Sequence, residues 1–166
     1  NDWLSADAIV VNGEGYKKIQ KNDGLMYGLG ATLTPVKALT FRAYYGLNEG
    51  SDAKQENIQN LATFVGLKLN GFSLGAEYNR IWNMKYVDGS DMNGFSIYSN
   101  IKLNKGADLY LRFDDYNGDE SGFIAGVQWK LGKYVKVSPN FRWNHAEVDG
   151  GNQDSYMGYI SCYFGF

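Results

Sequence analysis

The single histidine, His145, needs a partner before it can do chemistry. It stands in Asn-His-Ala-Glu (144–147), with no serine beside it to hand over a proton. Ser138 lies several residues back and, on an alternating strand, on the opposite face, so a Ser–His nucleophile is not supported. Asp114 and Asp115 are adjacent and also face opposite sides, which separates them as an acid–base pair. The runs 88–91, 117–120 and 149–154 pair Asp or Asn with glycine. None has the twelve-residue spacing of a calcium loop, and all read as turn chemistry. No helix follows Gly28 and Gly30, so they cradle no phosphate. Cys162 has no second thiol to pair with. These residues predict no enzyme, no metal site and no cofactor.

The remaining charges suggest electrostatics rather than catalysis. Arg42, Lys68, Glu77, Lys102, Asp108, Arg112, Asp114, Lys130, Lys136 and Arg142, with Asp7, share one face of a series of alternating segments. Basic members outnumber acidic ones, and rings of Arg or Lys bias a pore towards anions. Lys68, Lys102 and Lys130 are expected at one height near one rim, with Arg42, Glu77 and Arg112 near mid-depth. The acids gather elsewhere, in the connections: Glu49, Asp52, Glu56, Asp88, Asp91, Asp119, Glu120, Glu147, Asp149 and Asp154. The competing reading is that opposite charges across a narrow interior neutralise one another.

What positions these residues is a set of strands. The 166 residues include 21 glycines, 2 prolines, 13 tyrosines, 9 phenylalanines and 4 tryptophans, a β-rich profile long enough for one domain. A net charge of −2 argues against a nucleic-acid partner. Period-two alternation predicts strands at 3–11, 24–34, 38–48, 59–70, 72–82, 94–104, 107–116, 121–131, 134–145 and 155–166. Each is near the ~9–11 residues that a tilted strand needs to cross a bilayer. Short joins at 34–37, 70–71, 104–106 and 131–133 alternate with longer polar ones at 12–23, 49–58, 83–93, 117–120 and 146–154. Outer-membrane barrels have short periplasmic turns and longer outer loops.

The apolar face is then the lipid face, with an interfacial girdle of Tyr45, Phe72, Trp82, Trp129 and Trp143. Ile160, Phe164 and Phe166 close the last strand on that face. Pro139 predicts a bulge and a parity slip in the ninth strand. A soluble barrel with its apolar face inward is the alternative. It sits poorly with Gly28, Gly30, Gly46, Gly66, Gly75 and Gly126, and with Tyr44, Phe64, Tyr98 and Tyr110, on the face that would then meet water. Arg80, beside Trp82, reads as a snorkelling side chain; divalent cations could bridge the loop acids to lipopolysaccharide phosphates.

Several runs carry a resemblance: Trp-Leu-Ser-Ala-Asp-Ala (3–8), Asn-Gly-Glu-Gly-Tyr-Lys-Lys (12–18), Leu-Thr-Phe-Arg-Ala-Tyr-Tyr (39–45), Phe-Ser-Leu-Gly-Ala-Glu-Tyr-Asn (72–79) and Val-Ser-Pro-Asn-Phe-Arg (137–142). They resemble porin-like barrels of the Bacteroidota type, with the chain corresponding to the C-terminal portion of longer members. The last strand also resembles the insertion signal of outer-membrane barrels. The resemblance implies an antiparallel up-and-down transmembrane β-barrel in the bacterial outer membrane, and passive diffusion of small polar solutes without a cofactor. It further implies contact with outer-membrane lipid and lipopolysaccharide, insertion by the barrel-assembly machinery, and room for a homo-oligomer. The competing expectation is a narrow barrel plugged by Tyr44, Tyr98, Tyr110, Tyr159 and Tyr163, with a structural or adhesive role.

Overall fold

Alternation of apolar and polar residues over ten short stretches produces ten strands. A computed structural model describes residues 3–13, 24–50, 54–148 and 150–165. The strands are β1 (Leu4–Asn12), β2 (Leu25–Val36), β3 (Leu39–Asn48), β4 (Ile58–Leu69), β5 (Phe72–Trp82), β6 (Met92–Asn104), β7 (Ala107–Tyr116), β8 (Glu120–Lys130), β9 (Val135–Val148) and β10 (Gly151–Phe164). They form one antiparallel up-and-down sheet in sequence order, with β1 and β10 each paired on one side only among the described residues. The fold class is therefore the all-β, ten-stranded one that the alternation predicts. The chain divides into two units, Asn1–Val65 with Glu77–Gly94, and Gly66–Ala76 with Phe95–Phe166.

Three expectations change. Pro139 causes neither bulge nor parity slip. The β8–β9 register runs Gly126↔Asn140 and resumes at Trp129↔Val137 with the same offset, and β10 pairs straight through at Ile160↔Pro139. Proline removes one donor, so the ladder loses local bonds and keeps its parity. The irregularity lies instead between β2 and β3, where the register shifts between Leu33 and Val36, around Pro35. The alternation of long and short joins also fails over the last three connections. Asn117 and Gly118 both have positive φ (55° and 80°), and the Asp119 amide bonds the Tyr116 carbonyl at 3.0 Å. That is the geometry of a tight hairpin turn. β9 and β10 extend to Val148 and Gly151, so most of the expected loop 146–154 is paired strand.

Burial is inverted relative to a water-soluble fold. Among the described residues, the only buried hydrophobic side chain is Ala107. The other buried positions are small or polar, among them Gly28, Gly30, Gly46, Gly75, Gly126, Ser96, Ser138 and Asn140. The large apolar side chains lie on the opposite, exposed face: Leu29, Phe41, Phe95, Phe141, Phe164 and, at 75% exposure, Ile160. In water, such a face would forfeit about 25 cal/mol for each Å² left uncovered.

Candidate functional site

The polar face is built by side chains that reach across glycines. In the first unit, Asp7 on β1 is directly opposite Gly30 on β2. Arg42 on β3 passes over that glycine and donates from both terminal nitrogens to the Asp7 carboxylate at 2.9 Å, and to Thr32 Oγ1 at 2.8 Å. A Cβ at Gly30 would come within 2.7 Å of both partners, so the pair needs the missing side chain.

The second unit repeats the device. Tyr110 on β7 lies over Gly126 on β8, where an added Cβ would stand 2.5 Å from its ring, and shares a 2.8 Å hydrogen bond with Ser138 on β9. Tyr98 on β6 covers Gly75 on β5 in the same way. Beside Tyr98, Arg112 Nε donates to both oxygens of Asp114 at 2.8 and 2.9 Å, and Ser96 Oγ donates to the same carboxylate. The Arg112 guanidinium also sits 5.7 Å from the Tyr98 ring centre. Arg142 bonds Asn140 and stacks 4.6 Å over Tyr159. In the first unit, Tyr44 covers Gly28. Three of the five tyrosines expected as a plug thus rest on glycines.

Two of the three arginines on this face are ion-paired, whereas Arg142, like the lysines, is paired with no described acid. Arg42 and Arg112 each hold an aspartate. Lys68, Lys102, Lys130 and Lys136 form no ion pair with any described residue. All four stand near the short turns of the second unit. The Lys102 amide bonds the Gly71 carbonyl at 2.7 Å, and the Lys130 amide bonds the Gly106 carbonyl at 2.8 Å, so each lies beside the turn of the preceding hairpin. Lys130 and Lys136 are direct cross-strand partners. Lys136 is 5.5 Å from the Tyr163 ring centre, and Asp108 faces Gln128. Glu77 also lies on β5.

The loop-side ends are held by acids that sequence reading counted only as charge. Arg80 pairs with Asp91 at 3.3 Å and lies 5.0 Å over Trp82. His145 Nδ1 is 2.9 Å from Asp154, which also accepts from the Trp143 indole at 3.1 Å. His145 therefore clips β9 to β10, with no hydroxyl nucleophile among its bonds. Glu49 accepts the Leu25 amide at 3.1 Å. Tyr45, Phe72, Trp82 and Trp129 lie within three residues of a strand end, whereas Trp143 falls near the middle of β9, because that strand runs on to Val148. Phe166, Asp52, Asp149 and 14–18 of the second quoted run lie outside the described residues.

Sequence reading missed Tyr86. The β5–β6 connection makes a turn at Met84–Tyr86 in which Asn83, Lys85 and Tyr86 all have positive φ. Such backbone is costly for non-glycine residues and persists only where contacts fix it. Here the Tyr86 carbonyl accepts the Glu56 amide at 3.1 Å, and its hydroxyl accepts from Asn48 Nδ2 at 3.0 Å. Asn48 shares strand parity with Arg42, so the loop is tied to the polar side of β3. No sequence signal marks that tie, because Tyr86 sits in an ordinary polar join.

No protein-family model matches the chain, and no curated protein matches it in sequence. Among solved structures it is similar to a porin from Rhodopseudomonas blastica, determined as a triple mutant, with TM-score 0.40 and 12% identity. The match covers 83% of this chain and 55% of that one, so the chain spans about half the length of that porin.

Proposed function

We propose that this chain is a porin-like barrel protein of the bacterial outer membrane through which small polar solutes diffuse passively, with a mild preference for anions. The observation that carries the reading is the inverted burial: large apolar side chains on the exposed face, and glycine, serine, asparagine and ion pairs on the other. A bilayer reverses the sign of that arrangement, because lipid accepts the apolar face and water hydrates the polar one. The exposed aromatics near strand ends fit the interfacial zones, and Ile160 and Phe164 fit the lipid face of the last strand. Lipopolysaccharide at the acidic loops, the barrel-assembly machinery as insertion partner and a homo-oligomer belong to this reading as expectations.

The plugged, structural or adhesive barrel is the second reading. The placement of Tyr44, Tyr98 and Tyr110 over glycines favours diffusion, since a ring lying on its neighbour's backbone takes up less of a bore than one projecting from it. Arg42 and Arg112 serve the wall, through Asp7 and Asp114, and the four lysines with Arg142 supply the unneutralised charge. The test is single-channel recording after reconstitution into planar bilayers. Stepwise, ohmic conductance that scales with salt, with a reversal potential on the anion side in a salt gradient, is expected. Silent insertion of folded protein would favour the plugged barrel.

A further inference from the structure

Lys130 and Lys136 stand directly opposite each other across β8 and β9, on the polar face. Like charges in that position oppose strand pairing, because directly opposed Cβ atoms are only ~4.5–5.5 Å apart. The surrounding strands do not relieve them. From β7, the facing acid is Asp108, whose cross-strand partner is Gln128, and it forms no ion pair with either lysine. From β10, Lys136 meets the Tyr163 ring at 5.5 Å, which places an electron-rich face rather than a counter-charge beside it. Elsewhere on this face Asp7 and Asp114 are engaged with arginine. Two ammonium groups on directly paired residues, six donors and no ion-paired acid among the described residues suit an oxyanion.

We propose that Lys130 and Lys136, with Tyr163 supporting Lys136, form a binding site for a dianionic oxyanion, a phosphate or phosphate monoester, at the short-turn end of the polar face. Two lysines at this spacing can each meet a different oxygen of one tetrahedral group, and two charges answer two. Chloride, with one charge and no fixed geometry, gains less from the pair. The site stands on the β8–β9 register alone; its part in solute selection rests on the diffusion reading above.

The experiment separates the two. Inorganic phosphate is titrated into the detergent-solubilised full chain at low salt and pH ~8, with ³¹P line-broadening and calorimetry as readouts. The wild type is expected to bind saturably in competition with excess sulfate but only weakly with chloride. Lys130→Gln and Lys136→Gln are each expected to weaken binding by about thirtyfold, the effect of one unit charge on a dianion at ~4 Å in water. Lys136→Arg should retain it, and Lys133→Gln, at the tip of the same hairpin, should leave it unchanged. In bilayers, phosphate at the short-turn side should then reduce chloride current in the wild type and not in the double Gln variant. Binding equal in wild type and both Gln variants overturns the site, as does phosphate binding no better than chloride. Binding without any conductance leaves the site standing and removes the diffusion reading.

Discussion

At the scale of single residues, the glycines of the polar face act as gaps that neighbouring side chains cross. Gly75 is the cleanest case, since the nearest atoms to an added Cβ all belong to Tyr98, at 2.5, 2.7 and 3.0 Å. Gly75→Val should therefore displace Tyr98 and destabilise the folded state by about 1–3 kcal/mol, measured by urea titration in detergent. Combining it with Tyr98→Ala should cost less than the two single changes summed, because the second removes what the first strikes. Additive losses would mean that the ring does not rest on the glycine. The charged face itself was legible from alternation, which assigns residues to faces. Its pairings were not, because Asp7 and Arg42 meet only through the three-strand register, and no one-dimensional pattern encodes a side chain reaching over a glycine on the strand between them.

At the scale of elements, the strands follow period-two patterning and the misreadings occur where that pattern is silent. The outer ends of β9 and β10 carry Glu147, Asn152, Gln153 and Asp154, polar on both faces, so nothing in them distinguishes loop from paired strand. Pro139 was the opposite error, a real local signal with a smaller consequence than expected. The register on both sides indicates that its missing donor is the one aimed at Val127 on β8. Pro139→Val should restore that bond without moving the register, making the residue 139 amide as slow to exchange with deuterium as its β9 neighbours. A fast-exchanging amide there would place the donor elsewhere. The β5–β6 loop gives a second prediction at this scale. Tyr86→Phe removes the hydroxyl that ties the left-handed turn to Asn48, while the strained φ values remain to be compensated. The loop should become the earliest site of limited proteolysis, at Lys85, with strand content by circular dichroism unchanged. Cleavage at the wild-type rate would show that the Glu56–Tyr86 backbone bond suffices.

At the scale of the whole molecule, charge is sorted along the strands rather than summed over them. The net charge is −2, yet lysines collect at the short-turn ends (Lys68, Lys102, Lys130, Lys136) and acids at the loop ends (Glu49, Glu56, Asp88, Asp91, Glu147, Asp154). An average over the chain hides this, whereas the strand order makes it explicit. Acids near the loops are partly consumed in structural bonds, as Glu49, Asp91 and Asp154 are, which weakens their field. The lysines and Arg142 have no ion-pair partner among the described residues, so on the diffusion reading they should dominate ion selection. Coulomb interaction with a passing ion falls off over a Debye length of ~8–10 Å at ordinary salt, so charges gathered at one level act together and those at the far end do not. Replacing Lys68, Lys102 and Lys130 together by Glu changes the formal charge at that level by six units. The zero-current potential in a salt gradient should then move from the anion side to the cation side, more strongly in dilute than in concentrated salt. Replacing Glu49, Glu56 and Asp88 by Lys should shift it far less. If the loop substitutions moved the potential as much as the lysine substitutions, selection would reside at the loop mouth and the lysines would be bystanders.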